Sequence, residues 1–501
     1  MDSPNPRFHV VFIPLMAQGH MIPMFDMARD FAQRGAISTL YTTPLNAARF
    51  RASVHQSRLL GLPIELVEVE FPCEEVGLPA GCENLDLLPS PDLLRRFYDG
   101  IARLERPIER RIRGHEVPPS CIVSDKFIFW SSEIARRLGV PRFVFHGMSC
   151  FSLLSAHNIS KFGAHRSVSS DWEPFEVPAM PRRFNITRAQ LPGSLVPRPG
   201  FDEYRRKIQA SEVAAHGVVV NSFDALEHGC VEAYAKALGK PVLCVGPVSL
   251  CNKNEADRFG RGNRSSAEAE ACLEWLNKKS PRSVIYACLG SLCRLLPSQL
   301  MELGKGLAES NQSFIWVIKK NEDGQSAELE RLLAEDNFEE RVRGRGLVIR
   351  GWAPQVAILS HRAIAGFLTH CGWNSTIEGV SAGVPLITWP LFSEQFLNEA
   401  HAVDILEIGI RVGVKAPARW GEEETTGVMV KKDDVTRVVK ALVSEDEEGK
   451  QRRERAAEVG RLARRAMEEG GSSYENVSKF FEFIQGHTLQ LPHHPAMISS
   501  I

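Results

Sequence analysis

Short uninterrupted apolar runs recur along the chain, each followed by a polar or glycine-bearing turn and then by apolar residues every three to four positions. His9-Val10-Val11-Phe12-Ile13-Pro14-Leu15 is the first. It is continuous rather than alternating, as a strand covered on both faces must be. After the turn Ala17-Gln18-Gly19-His20, residues Met24, Met27, Ala28 and Phe31 fall at i, i+3, i+4 and i+7, with Pro23 in the first turn and Gly35 at the end. That spacing predicts an amphipathic helix and leaves His20 in the loop before it. Further strands are predicted near Ile37–Tyr41, Ile64–Val69, Cys121–Asp125, Phe143–His146, Gly217–Ser222 and Val242–Gly246, with a helical stretch from about Leu93 to Arg113. Residues 71–92 and 160–200, rich in Pro and Gly, read as irregular.

The pattern then breaks. From Cys251 to Ser266 the chain is polar, charged and glycine-containing, which reads as a linker over 251–267. The alternation resumes with a helix around Leu273–Leu276 and strands at Val284–Leu289, Phe314–Ile318, Leu347–Arg350, Ala363–Leu368 and Pro385–Pro390. Residues 319–335 and 416–427 read as charged loops, and Asp433–Glu469 as charged helix. Gly470-Gly471-Ser472-Ser473 interrupts before a helix carrying Tyr474, Val477, Phe480, Phe481 and Ile484, and the tail from 487 to 501 reads as disordered. Alternating strand and helix in both halves predicts an α/β protein with two parallel-sheet domains, 1–250 and 268–470.

Composition narrows the function. A chain of 501 residues holds two cores of ordinary size. Lys+Arg 60 against Asp+Glu 61 leaves a formal charge of −1, so nucleic acid and anionic membranes are not expected partners. No apolar run approaches the ~18 residues of a membrane span, and the first residues lack the basic region of a secretory leader. The 11 cysteines are odd in number and scattered through strands, as in Cys121, Cys244 and Cys288. A reduced, cytoplasmic protein is expected.

The chemistry concentrates between Trp352 and Gln395. Strand Ala363–Leu368 ends at Thr369-His370, breaks on Cys371-Gly372, and a helix starts at Asn374-Ser375-Thr376. Free backbone N–H groups and the positive end of a helix dipole make such a start a phosphate site. His370, Asn374 and Ser375 add side-chain donors, and the turn Gly290-Ser291 after another strand can reach the same phosphates. Trp352 offers a flat face for a base, and Glu378, Glu394 and Gln395 offer acceptors for ribose and sugar hydroxyls. In the first half, His20, Asp125 and His146 stand at strand ends of one parallel sheet, where open α/β sheets bind ligands.

This 44-residue stretch resembles the donor-binding box of the plant family-1 UDP-glycosyltransferases, with its anchors Trp352, HCGWNS and Glu394-Gln395 in register. Gly19-His20-Met21-Ile22-Pro23-Met24 is similar to a second motif of that family. The resemblance implies a GT-B fold, two Rossmann-like domains facing across a cleft, with the last helix (471–486) packing back on the first domain. It implies roles position by position. Trp352 stacks on uracil and Ala353 gives it main-chain hydrogen bonds; Gln355 and Glu378 take ribose hydroxyls. His370, Gly372, Asn374 and Ser375 hold the diphosphate, with Ser291 beside them, and Trp373, Glu394 and Gln395 face the sugar. A final Gln in the box generally accompanies glucose. His20 is then the general base, Asp125 its counter-charge, and His20, His146 and Ser149 meet the acceptor, for which 160–200 forms a variable wall. Met148 stands where the family often has Thr.

The expected activity is transfer of glucose from UDP-glucose to a hydroxyl of a lipophilic plant metabolite, a flavonoid, terpenoid or steroid, by a monomer. An imidazole takes the proton as attack begins, and a carboxylate behind it balances the charge. No Asp-x-Asp pair occurs in the chain, so no metal and no cofactor are expected; the helix start would stabilise the leaving diphosphate. One displacement opposite the leaving group inverts an α-linked donor to a β-glucoside. Another UDP-sugar, galactose or glucuronate, is the nearest alternative. A non-catalytic UDP-sugar-binding module is the other, and it should have lost the His20/Asp125 pair. Gly379-Val380-Ser381-Ala382-Gly383 matches the hydrolase G-x-S-x-G motif but runs from helix to strand, the wrong order. No G-x-G-x-x-G follows a strand, which excludes a nicotinamide dehydrogenase.

Overall fold

The computed structural model describes residues 8–254, 257–258, 260–262, 267–319 and 324–490. The apolar runs are strands. β1 (His9–Ile13), β2 (Ile37–Thr42), β3 (Ile64–Glu68), β4 (Cys121–Asp125), β5 (Arg142–His146) and, after a small antiparallel hairpin of β6 (Pro174–Glu176) and β7 (Asn185–Thr187), β8 (Gly217–Val220) and β9 (Val242–Cys244) are the elements of the first half. All but the hairpin form one parallel sheet in the order β3-β2-β1-β4-β5-β8-β9. In the second half, β10 (Val284–Cys288), β11 (Ser313–Ile318), β12 (Gly346–Arg350), β13 (Ile364–Thr369), β14 (Leu386–Thr388) and β15 (Gly409–Arg411) form a second parallel sheet, ordered β12-β11-β10-β13-β14-β15.

Both sheets reverse their winding beside their first strand: β1 lies between β2 and β4, and β10 between β11 and β13. At such a point the connections leave neighbouring strand ends toward opposite faces, and a crevice opens between them. Pairing of Ile13 with Ser124 sets the turn after β1 beside Asp125. Pairing of Cys288 with Thr369 sets Gly290-Ser291 beside His370.

Burial follows the pattern. Val10, Val11, Phe12 and Ile13 are fully buried, as are Ile285, Tyr286 and Ala287 at the centre of the second sheet. Helix Ser472–Gln490 places Val477, Phe480 and Ile484 in the core of the first sheet. There Phe480 packs on Phe143 and Phe31, at centroid distances of 4.8 and 5.1 Å. The helix runs four residues past Gly486, so 487–490 are not part of a disordered tail; residues 491–501 lie outside the described part.

Residues 324–335, expected as loop, are a helix. Its Leu329 and Leu333, four apart, are buried against the second core and decide the matter over the surrounding charge. All eleven cysteines are unpaired and nine are buried. Among the described residues no helix is long and apolar enough to cross a membrane.

Candidate active site

His20 does not sit in a loop but in the first turn of helix Gln18–Gln33, which starts after Ala17. That fixes its backbone at the crevice of the first sheet. Its Nδ1 lies 2.5 Å from Oδ2 of Asp125, which is 1% exposed. The other carboxylate oxygen accepts from the backbone N–H of Phe127 at 3.0 Å. Asp125 therefore caps its own turn and orients the histidine at once. With Nδ1 engaged, Nε2 is the ring nitrogen left for a ligand. Burial works to lower the His20 pKa, but the charge and hydrogen bond of Asp125 outweigh it, and the net shift is upward.

Across the cleft, β13 ends at Thr369, Cys371 in the turn after it is held at φ 63°, and helix Trp373–Ala382 begins after Gly372 with no side-chain cap. Its first-turn N–H groups are left for a ligand. The His370 ring is clasped between two glycines. A Cβ at Gly290 would fall 2.5 Å from its Cε1, and one at Gly372 2.3 Å from its Nε2, so neither position tolerates a side chain. Burial pulls the His370 pKa down to about 4. At neutral pH it is therefore an uncharged ring whose buried Nδ1 has no hydrogen-bond partner, and the helix end supplies the field.

The residues expected at the nucleoside arrive pre-connected. Gln355 donates to Glu378 at 2.8 Å and to Ser375 Oγ at 3.1 Å, and receives Tyr286 OH at 3.4 Å. Ala353 is nearly buried beside Trp352. At the end expected to meet the sugar, Glu394 accepts from Ser393 Oγ at 2.6 Å. Gln395 is not the acceptor expected: its Oε1 already takes the N–H groups of Leu391 and Phe392, at 2.7 and 3.0 Å. That turns Nε2 into the group it can offer, a donor.

Two further expectations fail, and a third is narrowed. The Trp373 indole is 2% exposed, donates to Asn221 O at 2.7 Å and stacks on His401. Trp373 still lines the cleft, with its indole committed to these two partners. His146 is 3% exposed and pairs with Glu212 at 2.9 Å; burial works to raise the Glu212 pKa, but the hydrogen bond and charge of His146 outweigh it and bring it down to about 2. Ser149 is fully buried, caps helix Cys150–Phe162 through Ser152 N and reaches Asn398. Neither His146 nor Ser149 lines the cleft. Being one strand removed from the reversal point is enough to bury a strand end under Glu212 and its helix Asp202–Val213.

Between the halves lies a cavity of about 880 Å³. His20, Ser291, Trp352, Ala353, Gln355, His370, Gly372, Asn374, Ser375, Glu378, Glu394 and Gln395 all line it. Residues not foreseen line it too: Leu87, Leu88 and Pro89 from the irregular stretch 71–92, Phe392, and the cations Arg49, Arg258, Arg261 and Arg294. Only the density of Pro and Gly marked that stretch. The cleft is bridged by Asn374, whose amide donates to Gly19 O, by Trp373 to Asn221 O, and by Arg294 to Leu88 O at 2.9 Å.

Comparison with known proteins agrees with this geometry. A family model described as UDP-glucoronosyl and UDP-glucosyl transferase matches residues 262–416. UDP-glycosyltransferase 73D1 of Arabidopsis thaliana is 54% identical over 486 residues, covering 94% of this chain and 96% of that one. UDP-glycosyltransferase 73E1 of Stevia rebaudiana is 46% identical over 498 residues, 98% and 99% of the two chains. Among solved structures, Glycyrrhiza uralensis UGT73P12 complexed with glycyrrhetinic acid 3-O-monoglucuronide superposes with a TM-score of 0.89 at 36% identity, covering 97% of each chain. TcCGT1 in complex with UDP gives 0.76 at 26% identity, over 96% of this chain and 100% of that one.

Proposed function

The chain belongs to the plant UDP-glycosyltransferases of GT-B fold, and from that premise we propose that it transfers glucose from UDP-glucose to a hydroxyl of a lipophilic plant metabolite, with inversion and without a metal or cofactor. One observation carries the reading: the His20–Asp125 pair, with Nε2 of His20 uncommitted, faces the uncapped helix start at Gly372 across one cavity.

The acceptor hydroxyl would give its proton to His20 Nε2 as its oxygen attacks C1 of the sugar. The C1–O bond to the diphosphate breaks on the opposite side, and the electron pair leaves with UDP. Asp125 balances the imidazolium so formed. Charge growing on the diphosphate is met by the first-turn N–H groups, Ser375, Ser291 and neutral His370. Uracil would lie on Trp352 against Ala353, and ribose on Glu378 and Gln355. Glu394 would accept from sugar hydroxyls, while Gln395 Nε2 would donate to one.

The apolar wall of Leu87, Leu88, Pro89 and Phe392 supports a lipophilic acceptor, a flavonoid, terpenoid or steroid. UGT73P12 was solved with glycyrrhetinic acid 3-O-monoglucuronide, which is consistent with a small-molecule acceptor in this cleft. Donor and base residues come from one chain, which supports a monomer as the working unit, and nothing in the site calls for a compartment other than the cytoplasm. A uronate donor is the second reading, favoured by Arg49 in the cavity wall. Arg49 is already paired with Asp86 at 3.0 Å, which supports glucose over glucuronate.

The test is incubation with UDP-glucose and a panel of phenolic and triterpenoid aglycones, before and after exhaustive EDTA treatment. A β-glucoside formed at equal rates in both arms is expected. Turnover that disappears with EDTA and returns with Mg²⁺ would overturn the metal-free account, and product from UDP-glucuronate alone would overturn the donor.

A further inference from the structure

The polar segment between the two halves is more than a tether. Arg261, 9% exposed, reaches from it into the cleft. Its Nε donates to Asp26 Oδ2 at 2.6 Å, and its Nη1 donates to Glu378 Oε1. Asp26 is fully buried on the helix that carries His20. It also accepts from Asn252 Nδ2 at 2.9 Å, and Asn252 in turn takes Arg29 Nη1 at 2.9 Å. The second arm of Arg29 pairs with Asp257 at 2.6 Å. An unbroken polar chain thus runs from the first domain, through the segment, to Glu378, Gln355 and Ser375. The backbone of the same segment grips the base-stacking residue. Trp352 Nε1 donates to Arg261 O at 3.3 Å, and Gly262 (φ +87°) is packed so tightly that a Cβ would lie 2.3 Å from the indole and 3.1 Å from Ile22.

Resting on the reading that a UDP-sugar occupies this cleft, we infer that Arg261 is a positioning residue of the nucleoside subsite. It holds one oxygen of Glu378 while Gln355 holds the other, so the carboxylate is fixed in rotation. The remaining lone pair of each oxygen is then set to receive the vicinal hydroxyls of the ribose. A carboxylate this buried needs hydrogen-bond partners to be held in one orientation. The Arg261 carbonyl and Gly262 fix the indole beside it. Because the other arm of Arg261 holds Asp26, the ribose site and the helix of His20 share one anchor. The opposite view of the same contacts is a strap that UDP must push aside, and it predicts the reverse effect.

The experiment titrates UDP and 2′-deoxy-UDP calorimetrically into the full-length protein and its Arg261→Gln and Arg261→Lys variants, with KM and kcat for UDP-glucose and ligand-free Tm alongside. In Arg261→Gln, UDP binding should weaken and the donor KM rise by roughly tenfold or more, with the larger effect on KM than on kcat. Arg261→Lys, which keeps the charge but not two separated arms, should recover part of the loss. The discriminating readout is the preference for UDP over 2′-deoxy-UDP, which should shrink in Arg261→Gln; a residue acting only on folding would weaken both ligands equally. Unchanged or tighter UDP binding by folded Arg261→Gln overturns the inference, the tighter case in favour of a strap. If Arg261→Gln does not fold, Arg261→Lys decides, and wild-type affinity and preference there overturn it equally. Wild-type protein that binds no UDP removes the nucleotide reading itself, and this inference with it.

Discussion

The side-chain amide of Asn374, in the first turn of the second domain's cleft-facing helix, donates to the carbonyl oxygen of Gly19, the residue before His20. Its own carbonyl oxygen receives Asn221 Nδ2 at 3.5 Å. One asparagine thereby sets the distance between the helix start and the histidine. Both lie at reversal points of their sheets, so the contact registers the two crevices against each other.

Asn374→Ala should therefore damage both halves of the reaction. Loss of a donor to an anionic group and of the cross-cleft contact predicts a fall in kcat/KM of about 10- to 100-fold, roughly 1.5–3 kcal/mol. Steady-state kinetics with UDP-glucose and a reactive acceptor checks it. Wild-type kcat/KM would mean that the helix backbone alone holds the donor in register.

His20→Ala should lower transfer to an alcohol by ~10²–10⁴ while UDP binding survives. The donor residues lie in the other domain, and only the proton acceptor is removed. With phenol or thiol acceptors already partly ionised, the defect should shrink as acceptor pKa falls. A defect of the same size across the whole acceptor series would make His20 a substrate-positioning group instead.

The upward shift of His20 by Asp125 fixes a pH signature. The base must be neutral, so the acidic limb of kcat/KM should lie above the ordinary histidine value of about 6.5. Asp125→Asn should move that limb down and slow the reaction. The stability contribution has the matching sign: it is fully present below the unfolded value and is lost as pH rises through the folded one. A pH–rate profile of both proteins, with Tm at each pH, reads both effects.

Gln395→His should narrow the preference for UDP-glucose over UDP-galactose. The native Oε1 is locked by two backbone N–H groups, which aims Nε2 as a donor; an imidazole cannot reproduce that fork. A hydrogen bond lost from the transition state is worth roughly 1–3 kcal/mol. Competition between the two donors measures the gap.

Two histidines should make the protein acid-sensitive. Burial lowers His370 to about 4 and His401 to about 3. His401 lies stacked on Phe151 at 4.6 Å. The unfolded chain takes up protons near pH 6.5 and these sites do not. Each should therefore remove about 1.4 kcal/mol of stability per pH unit as pH falls from there toward its folded value. Urea unfolding between pH 7.5 and 5 should show the loss, and His401→Phe, which keeps the stacking ring, should flatten it by one proton.

How much of this was legible depends on how local the cause is. The strand–glycine turn–helix start at Thr369–Trp373 was readable because its parts are consecutive in sequence, and backbone geometry follows from residue type there. The His20–Asp125 pair was readable for a related reason, since motif and strand end together place each residue at the crevice. His146 stood at a strand end as well, yet strand ends are equivalent only in sequence. Strand order puts β4 at the reversal point and β5 beside it, and Glu212, 66 positions along the chain, covers the second.

The chain by itself thus determined the two parallel sheets, the uncapped helix start at the cleft, and the residue types proposed for base, sugar and proton. Periodicity and turn chemistry act over a few residues, so they are written in the order of the chain. Which way the Trp373 indole turns, which atom of Gln395 is left to offer, and that Arg261 reaches Glu378 were decided by tertiary structure alone. Each depends on hydrogen-bond partners or charges that adjacent sequence does not supply, and only the packing of two domains brings those groups within reach.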